Sequence, residues 1–156
     1  MRQGRAAGLA ALAAVLLVAV CRAQVQQEPW AQTTEGTSIN ITCSHPNIQI
    51  GDSIYWYRHV PGQGPTFLVL GTKGSNPLRD LPGWLVVAAD RRSSALWLTD
   101  PRLRDAAVYY CAPYRYGSAY GRPTFGTGTR LSVQPKVVPS PSVYRLTTKD
   151  DENLEM

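Results

Sequence analysis

The chain reads as an all-β sandwich of two antiparallel sheets, and three observations carry that reading. Cys43 and Cys111 stand 68 residues apart, with Trp56 after the first and Asp105-Ala-Ala-Val-Tyr-Tyr leading into the second. A sandwich pinned by one inter-sheet bridge needs a buried indole against that bridge. It also needs a tyrosine two residues before the second cysteine, to bond back to the chain at a strand corner. Trp56 and Tyr109 sit at those offsets. The second observation is the clean alternation of residues 38–43. Ile39, Ile41 and Cys43 share one face and Ser38, Asn40 and Thr42 the other, the period of a half-buried antiparallel strand. The third is turn punctuation, as in Pro61-Gly-Gln-Gly-Pro65. A bridge closing a loop this long stabilises the fold by about 4 kcal/mol in the chain-entropy model.

The 156 residues hold one domain, residues 24–135, between a leader and a remnant. Residues 1–23 form a secretory signal peptide. Arg2 and Arg5 precede the apolar run from Ala6 to Val20, and Cys21-Arg22-Ala23 places small residues at the outer positions of a cleavage site. Cleavage there removes Cys21 and leaves an even pair, Cys43 and Cys111, as an exported bridge requires. It also removes Arg2, Arg5 and Arg22, which lowers the formal net charge of +5 by three. The remaining cations are scattered among acids and form no concentrated basic footprint, so nucleic acid is not an expected partner. No later apolar stretch is long enough for a membrane helix.

The strands follow in order. Residues 24–30 make a first strand stopped by Pro29, and residues 38–43 the next. In residues 54–59, Ile54 and Trp56 point inward, which throws Tyr55, Tyr57 and His59 onto the opposite face. Tyrosine is enriched where surfaces meet partners. Strands at 66–70, 85–89 and 94–98 come next, with Leu96 and Leu98 inward and Trp97 outward. Ala107, Tyr109 and Cys111 face in, while Val108 and Tyr110 face out. The last strand opens at Phe125-Gly-Thr-Gly128 and runs through Leu131 and Val133. Its paired glycines mark a bulge, not a phosphate loop, because no helix and no lysine follow. Asn40-Ile41-Thr42 on the outer face is a glycosylation sequon.

Three loops then gather at one end of the sandwich: residues 47–53, 71–77 and 112–124. The third mixes Tyr114, Tyr116 and Tyr120 with Gly117, Ser118 and Gly121, and adds Arg115 and Arg122. Rigid amphipathic rings among small adaptable residues are the composition of a recognition loop. Asn47, Ile48, Gln49, Ile50 and Lys73 extend the candidate contact surface from the other two loops. After Gln134-Pro135 the chain becomes a proline-stiffened elbow. Residues 136–156 read as the truncated start of a second domain, too short for a core of its own.

Taken in order, these motifs resemble an antigen-receptor variable domain, specifically a T-cell receptor alpha chain with its joining segment and the start of its constant region. The resemblance rests on Thr37-Ser-Ile-Asn-Ile-Thr-Cys43, Ile54-Tyr-Trp-Tyr-Arg58, Pro61-Gly-Gln-Gly-Pro65 and Asp105 to Cys111. It rests also on Phe125-Gly-Thr-Gly128 and on Pro139-Ser-Pro-Ser-Val-Tyr-Arg-Leu146. It implies an immunoglobulin V-type sandwich with Greek-key connections. It implies pairing of Tyr55, Tyr57, His59, Pro65, Tyr110 and Phe125 with a beta-chain variable domain, and binding of MHC-presented peptide by Asn47, Ile48, Gln49, Ile50, Lys73, Tyr114, Arg115, Tyr116 and Tyr120. It further implies an extracellular, membrane-anchored glycoprotein whose signalling subunits engage regions absent here.

Two departures stand out. His59 takes the place of a glutamine that usually bonds its counterpart across the paired domains. Trp84 takes the place of an arginine that usually pairs with the acid at Asp105, leaving Asp105 to find Arg79, Arg91 or a backbone amide. A delta chain is the near alternative, and the tail argues for alpha. From another class, a non-rearranged adhesion or co-receptor module would carry the same sandwich. No enzyme is indicated: His45 and His59 are the only histidines. No carboxylates are spaced to complete a metal site around them, and no cofactor is expected.

Overall fold

A computed structural model describes residues 25–117 and 122–137. The expected leader, Tyr120 and the expected start of a second domain fall in residues 1–24, 118–121 and 138–156, outside the described residues. In chain order the strands are β1 (Gln26–Gln27), β2 (Trp30–Thr34), β3 (Ile39–Ser44), β4 (Ser53–His59) and β5 (Thr66–Gly71). They continue as β6 (Gly74–Pro77), β7 (Gly83–Val87), β8 (Ser93–Leu98), β9 (Ala107–Tyr114) and β10 (Thr129–Gln134), with a single 3-10 turn at Leu103–Asp105. One sheet runs β1-β3-β8-β7-β6 and the other β2-β10-β9-β4-β5. β3 neighbours β8 and not β4, the crossover between sheets that a Greek key needs.

Four details differ from the sequence reading. The expected first strand is two: Pro29 is a hinge, not a stop, and it carries the chain from β1 in one sheet to β2 in the other. β2 lies parallel to β10, from Trp30↔Arg130 to Thr34↔Gln134, so the second sheet is mixed. Residues 74–77 of the expected second loop form β6, which pairs with β7 in the sheet opposite β5. The ladder of the last strand begins at Thr129, after the glycines. Before it, the Gly126 amide donates to the Cys111 carbonyl at 2.8 Å, and Gly128 adopts φ +85°, a conformation glycine takes at least cost.

The core is the meeting of the two inner faces. Ile41, Ile54, Trp56, Leu85, Leu96, Leu98, Tyr109 and Leu131 are buried around the Cys43–Cys111 disulfide, whose Cα atoms are 6.5 Å apart. Trp56 lies directly opposite Cys111 in the ladder, as the offsets required. Its indole N–H finds no hydrogen-bond partner among the described residues, at a cost of about 1–3 kcal/mol. Burying an aromatic ring of roughly 200 Å² at about 25 cal/mol per Å² more than offsets that. The corner before β9 is closed by the Tyr109 hydroxyl, which donates to the Asp105 carbonyl at 2.6 Å. Burial pushes the Tyr109 phenol up to about 12.

Asp105 finds the backbone amide but neither expected arginine. Its Oδ2 accepts the Arg102 N–H at 2.8 Å, closing the 3-10 turn. Its Oδ1 stands 3.7 Å from Arg58 Nη1, a charge attraction beyond hydrogen-bond reach. Arg79 is exposed and Arg91 is committed to the loops described below. Trp84 faces solvent, 47% exposed, so it does not occupy an ion-pair slot at all.

Candidate functional site

Two surfaces emerge, and both are consequences of strand parity. The first is the outer face of β9-β4-β5. Trp56 and Ile54 fill the core, so Tyr55, Tyr57 and His59 project the other way, all half-buried. A bulge between Trp56 and Tyr57 extends this surface. Trp56 pairs with Val69 and Tyr57 with Phe67, so Leu68 and Val69 both bury while Phe67 turns outward, 49% exposed. The rings then form a continuous cluster. Tyr55 and Phe67 have centroids 6.1 Å apart, Tyr57 and Phe67 6.0 Å, Tyr57 and Phe125 5.5 Å, and Tyr55 and Tyr114 5.7 Å. Burial, reinforced by Tyr55 and Tyr114, raises the Tyr57 phenol above its ordinary range.

Of the expected partner-face residues, Tyr55, Tyr57 and Phe125 join this cluster. Tyr110 lies opposite Tyr57, His59 opposite Val108 at the far end of β4, and Pro65 just before β5. Phe67 and the exposed Leu70 were missed. Their signal was the apolar run Phe67-Leu-Val-Leu70, which alternation alone could not split without the bulge. Tyr114, expected in the third loop, belongs to the end of β9 opposite Ser53. Its ring borders the aromatic cluster.

The second surface is the adjoining end of the sandwich. In the first loop, the Gln49 amide donates to Asp52 Oδ2 at 2.9 Å and the Asp52 amide to the Gln49 carbonyl at 3.1 Å, a tight turn. That turn lifts Ile50 to 90% exposure while Ile48 packs back against the core. Asn47 is exposed beside it. Beneath lies His45, buried, its Nε2 3.1 Å from Ser94 Oγ. Desolvation lowers its pKa, with backbone hydrogen bonds only partly opposing.

The second loop contracts to a short turn between β5 and β6 that exposes Lys73. In the third, Arg115 Nε pairs with Asp52 Oδ1 at 3.8 Å and Tyr116 stands 86% exposed. Arg91, which sequence reasoning did not place here, braces the whole end. From the β7–β8 turn its guanidinium donates to the Thr72 carbonyl at 2.8 Å and to the Asp52 carbonyl, joining the first two loops. Among the described residues no His, Cys, Asp and Glu cluster is arranged for a metal.

The two sheets, the bridge, the buried tryptophan and the tyrosine corner define a V-type immunoglobulin domain. The immunoglobulin V-set domain profile matches residues 26–134, and the chain belongs to that family. It is 37% identical over 89 residues to human T cell receptor alpha variable 26-1, covering 57% of this chain and 80% of the relative. Human T cell receptor alpha variable 2 is 37% identical over 95 residues, covering 61% and 80%. A crystal structure of a chicken TCR shares 66% sequence identity at a TM-score of 0.68, covering 75% of this chain and 58% of that one. The family is one of non-enzymatic receptors, and this chain is not an enzyme. No helix among the described residues is long and apolar enough to cross a membrane.

Proposed function

We propose that this chain is the alpha-type subunit of a T-cell receptor. It would pair through the outer face of β9-β4-β5 with a beta-chain variable domain, and bind MHC-presented peptide at the loop end. The observation that supports it most is the aromatic cluster of Tyr55, Tyr57, Phe67, Tyr114 and Phe125. Contiguous exposed apolar surface on a monomer generally marks an interaction site, and this one runs directly into the loops. Pairing there would place a second set of loops beside the braced first set. The receptor reading also implies an extracellular position at the plasma membrane and signalling through other subunits.

The test is co-secretion with a beta chain. Tyr57→Asp and Phe125→Asp should each lower recovery of the heterodimer at least tenfold, since truncating a central interface ring typically costs about 2 kcal/mol or more. Ile50→Ala and Tyr116→Ala should spare pairing and weaken binding to presented antigen. Unchanged pairing in both aspartate variants would place the interface elsewhere and favour the adhesion-module alternative.

A further inference from the structure

On the face opposite the aromatic cluster, two tryptophans lie exposed in one cross-strand row. Trp84 on β7 is directly opposite Trp97 on β8, and they are 47% and 40% exposed. With Ser75, Val86 and Thr99 they line a shallow groove of about 390 Å³. The row continues in both directions: Pro77 on β6 pairs with Trp84, and Asn40 on β3 pairs with Trp97. Asn40 is the asparagine of the chain's single Asn-X-Ser/Thr sequon, and Asn40 and Thr42 are both exposed.

The chemistry of this face is unusual for exposed sheet. Its outward positions on β3, β8, β7 and β6 are Asn40, Thr42, Ser44, Ser93, Ala95, Trp97, Trp84, Val86, Ser75 and Pro77, and none is charged. Soluble surfaces ordinarily carry about a quarter to a third charged residues. A neutral, hydroxyl-rich face with two indoles suits the faces of pyranose rings, which present apolar C–H groups to an aromatic surface and hydroxyls to the rim. It does not suit a charged or phosphate-bearing partner.

We propose that the N-linked glycan of Asn40 folds back over the sheet, with its first two N-acetylglucosamine rings seated on Trp97 and then Trp84. The reach fits. Neighbouring strands lie about 4.8 Å apart, so Trp84 stands about 10 Å across the sheet from Asn40, a span two linked pyranose rings cover. The glycan would act as an intramolecular cover for apolar surface that pairing on the other sheet leaves open. It would also supply the hydration that the missing charges do not. This assignment is independent of which chain occupies the aromatic cluster.

The experiment compares three forms of the chain secreted from eukaryotic cells: fully glycosylated, trimmed by endoglycosidase to a single sugar, and Asn40→Gln. Each is measured in the parent and in a Trp84→Thr/Trp97→Thr background. Both indoles are exposed, so the double variant should fold. In the parent, loss of the glycan should lower the melting temperature by about 4 °C and increase quenching of tryptophan fluorescence by acrylamide. In the double variant the melting temperature should change by less than about 1 °C. The trimmed form should fall between, because one ring still covers Trp97. Intact mass showing Asn40 unmodified would overturn the assignment. So would equal losses in both backgrounds, or glycosylated chains that self-associate through Trp84 and Trp97.

Discussion

Gln27 offers the sharpest test of how the sandwich holds its aromatic face. This side chain on the short β1 strand reaches across to the other sheet. Its Nε2 donates to the Tyr109 carbonyl at 2.9 Å, and its Oε1 accepts the Cys111 amide at 3.1 Å and the Gly128 amide at 3.2 Å. Those three backbone groups belong to β9 and to the glycine segment before β10, where the ladder has not yet begun. Gln27→Ala strands all three. A buried polar group left without its partner costs about 1–3 kcal/mol. The site is only part-buried, so water relieves some of this, and the low end per group gives about 3 kcal/mol in all. For a domain of this size that is a fall of roughly 10 °C in melting temperature.

Gln27→Met separates the causes, since it keeps the volume and removes the amide. It should lose nearly as much as alanine. Gln27→Glu keeps two acceptor roles but turns a negative oxygen toward the Tyr109 carbonyl, and should be no better. Chemical denaturation of the secreted domain reads all three. Phe125 directly precedes the segment pinned by the Gly126–Cys111 and Gly128–Gln27 bonds, so the same variants should also weaken the proposed pairing with a beta chain. A methionine variant within about 0.5 kcal/mol of the parent would refute the reasoning, because the clamp would then be packing and not hydrogen bonding.

Three other outcomes follow from single side chains. His45 has its pKa lowered by burial, so below its ordinary value of 6.5 the unfolded chain takes up a proton that the folded one resists. Stability is therefore full above about pH 6.5 and falls below it, by at most about 1.4 kcal/mol per pH unit. His45→Gln should flatten that slope in urea titrations between pH 7 and 5, and an unchanged slope would assign it to other groups. Tyr109→Phe removes the buried bond to the Asp105 carbonyl and should cost about 1–3 kcal/mol in denaturation, with a loss under 0.3 kcal/mol counting against the corner. Arg91→Ala releases the Asp52 and Thr72 carbonyls. It should speed hydrogen exchange in residues 47–52 about tenfold, roughly 1.4 kcal/mol of local opening, while global stability hardly moves.

What the sequence could reveal followed from the range over which each signal acts. Strand alternation and the offsets of Cys43, Trp56, Tyr109 and Cys111 are local patterns, and the core they imply is the core observed. β2 was illegible because it owes its existence to a distant partner, β10, and β6 because its four residues pair with β7 without any alternation of their own. Neither Trp30-Ala-Gln-Thr-Thr34 nor Gly74-Ser-Asn-Pro77 alternates in a way that announces a strand. Phe67 was hidden by a bulge whose extra residue shifts the parity by one. Gln27 and Arg91 were hidden more deeply, since both act by reaching backbone carbonyls and amides that any residue would supply.

Arg58 is the instructive case. The parity that sends Trp56 inward sends Arg58 the same way, toward Asp105. A charge on an inward position of a core strand has to find an opposite charge or leave the fold, so the pattern itself contained the ion pair at 3.7 Å. The same logic applied to the outer faces distinguishes the two sheets. On β4 the outward Tyr55 and Tyr57 are aromatic and continue into Phe67 of β5 and Tyr114 of β9, the face proposed to pair with a second chain. On β3, β8 and β7 they are neutral and lead from an asparagine sequon to two indoles, the row on which the glycan is proposed to lie. If both proposals hold, the two sides of the sandwich take different neighbours without any change in the core between them.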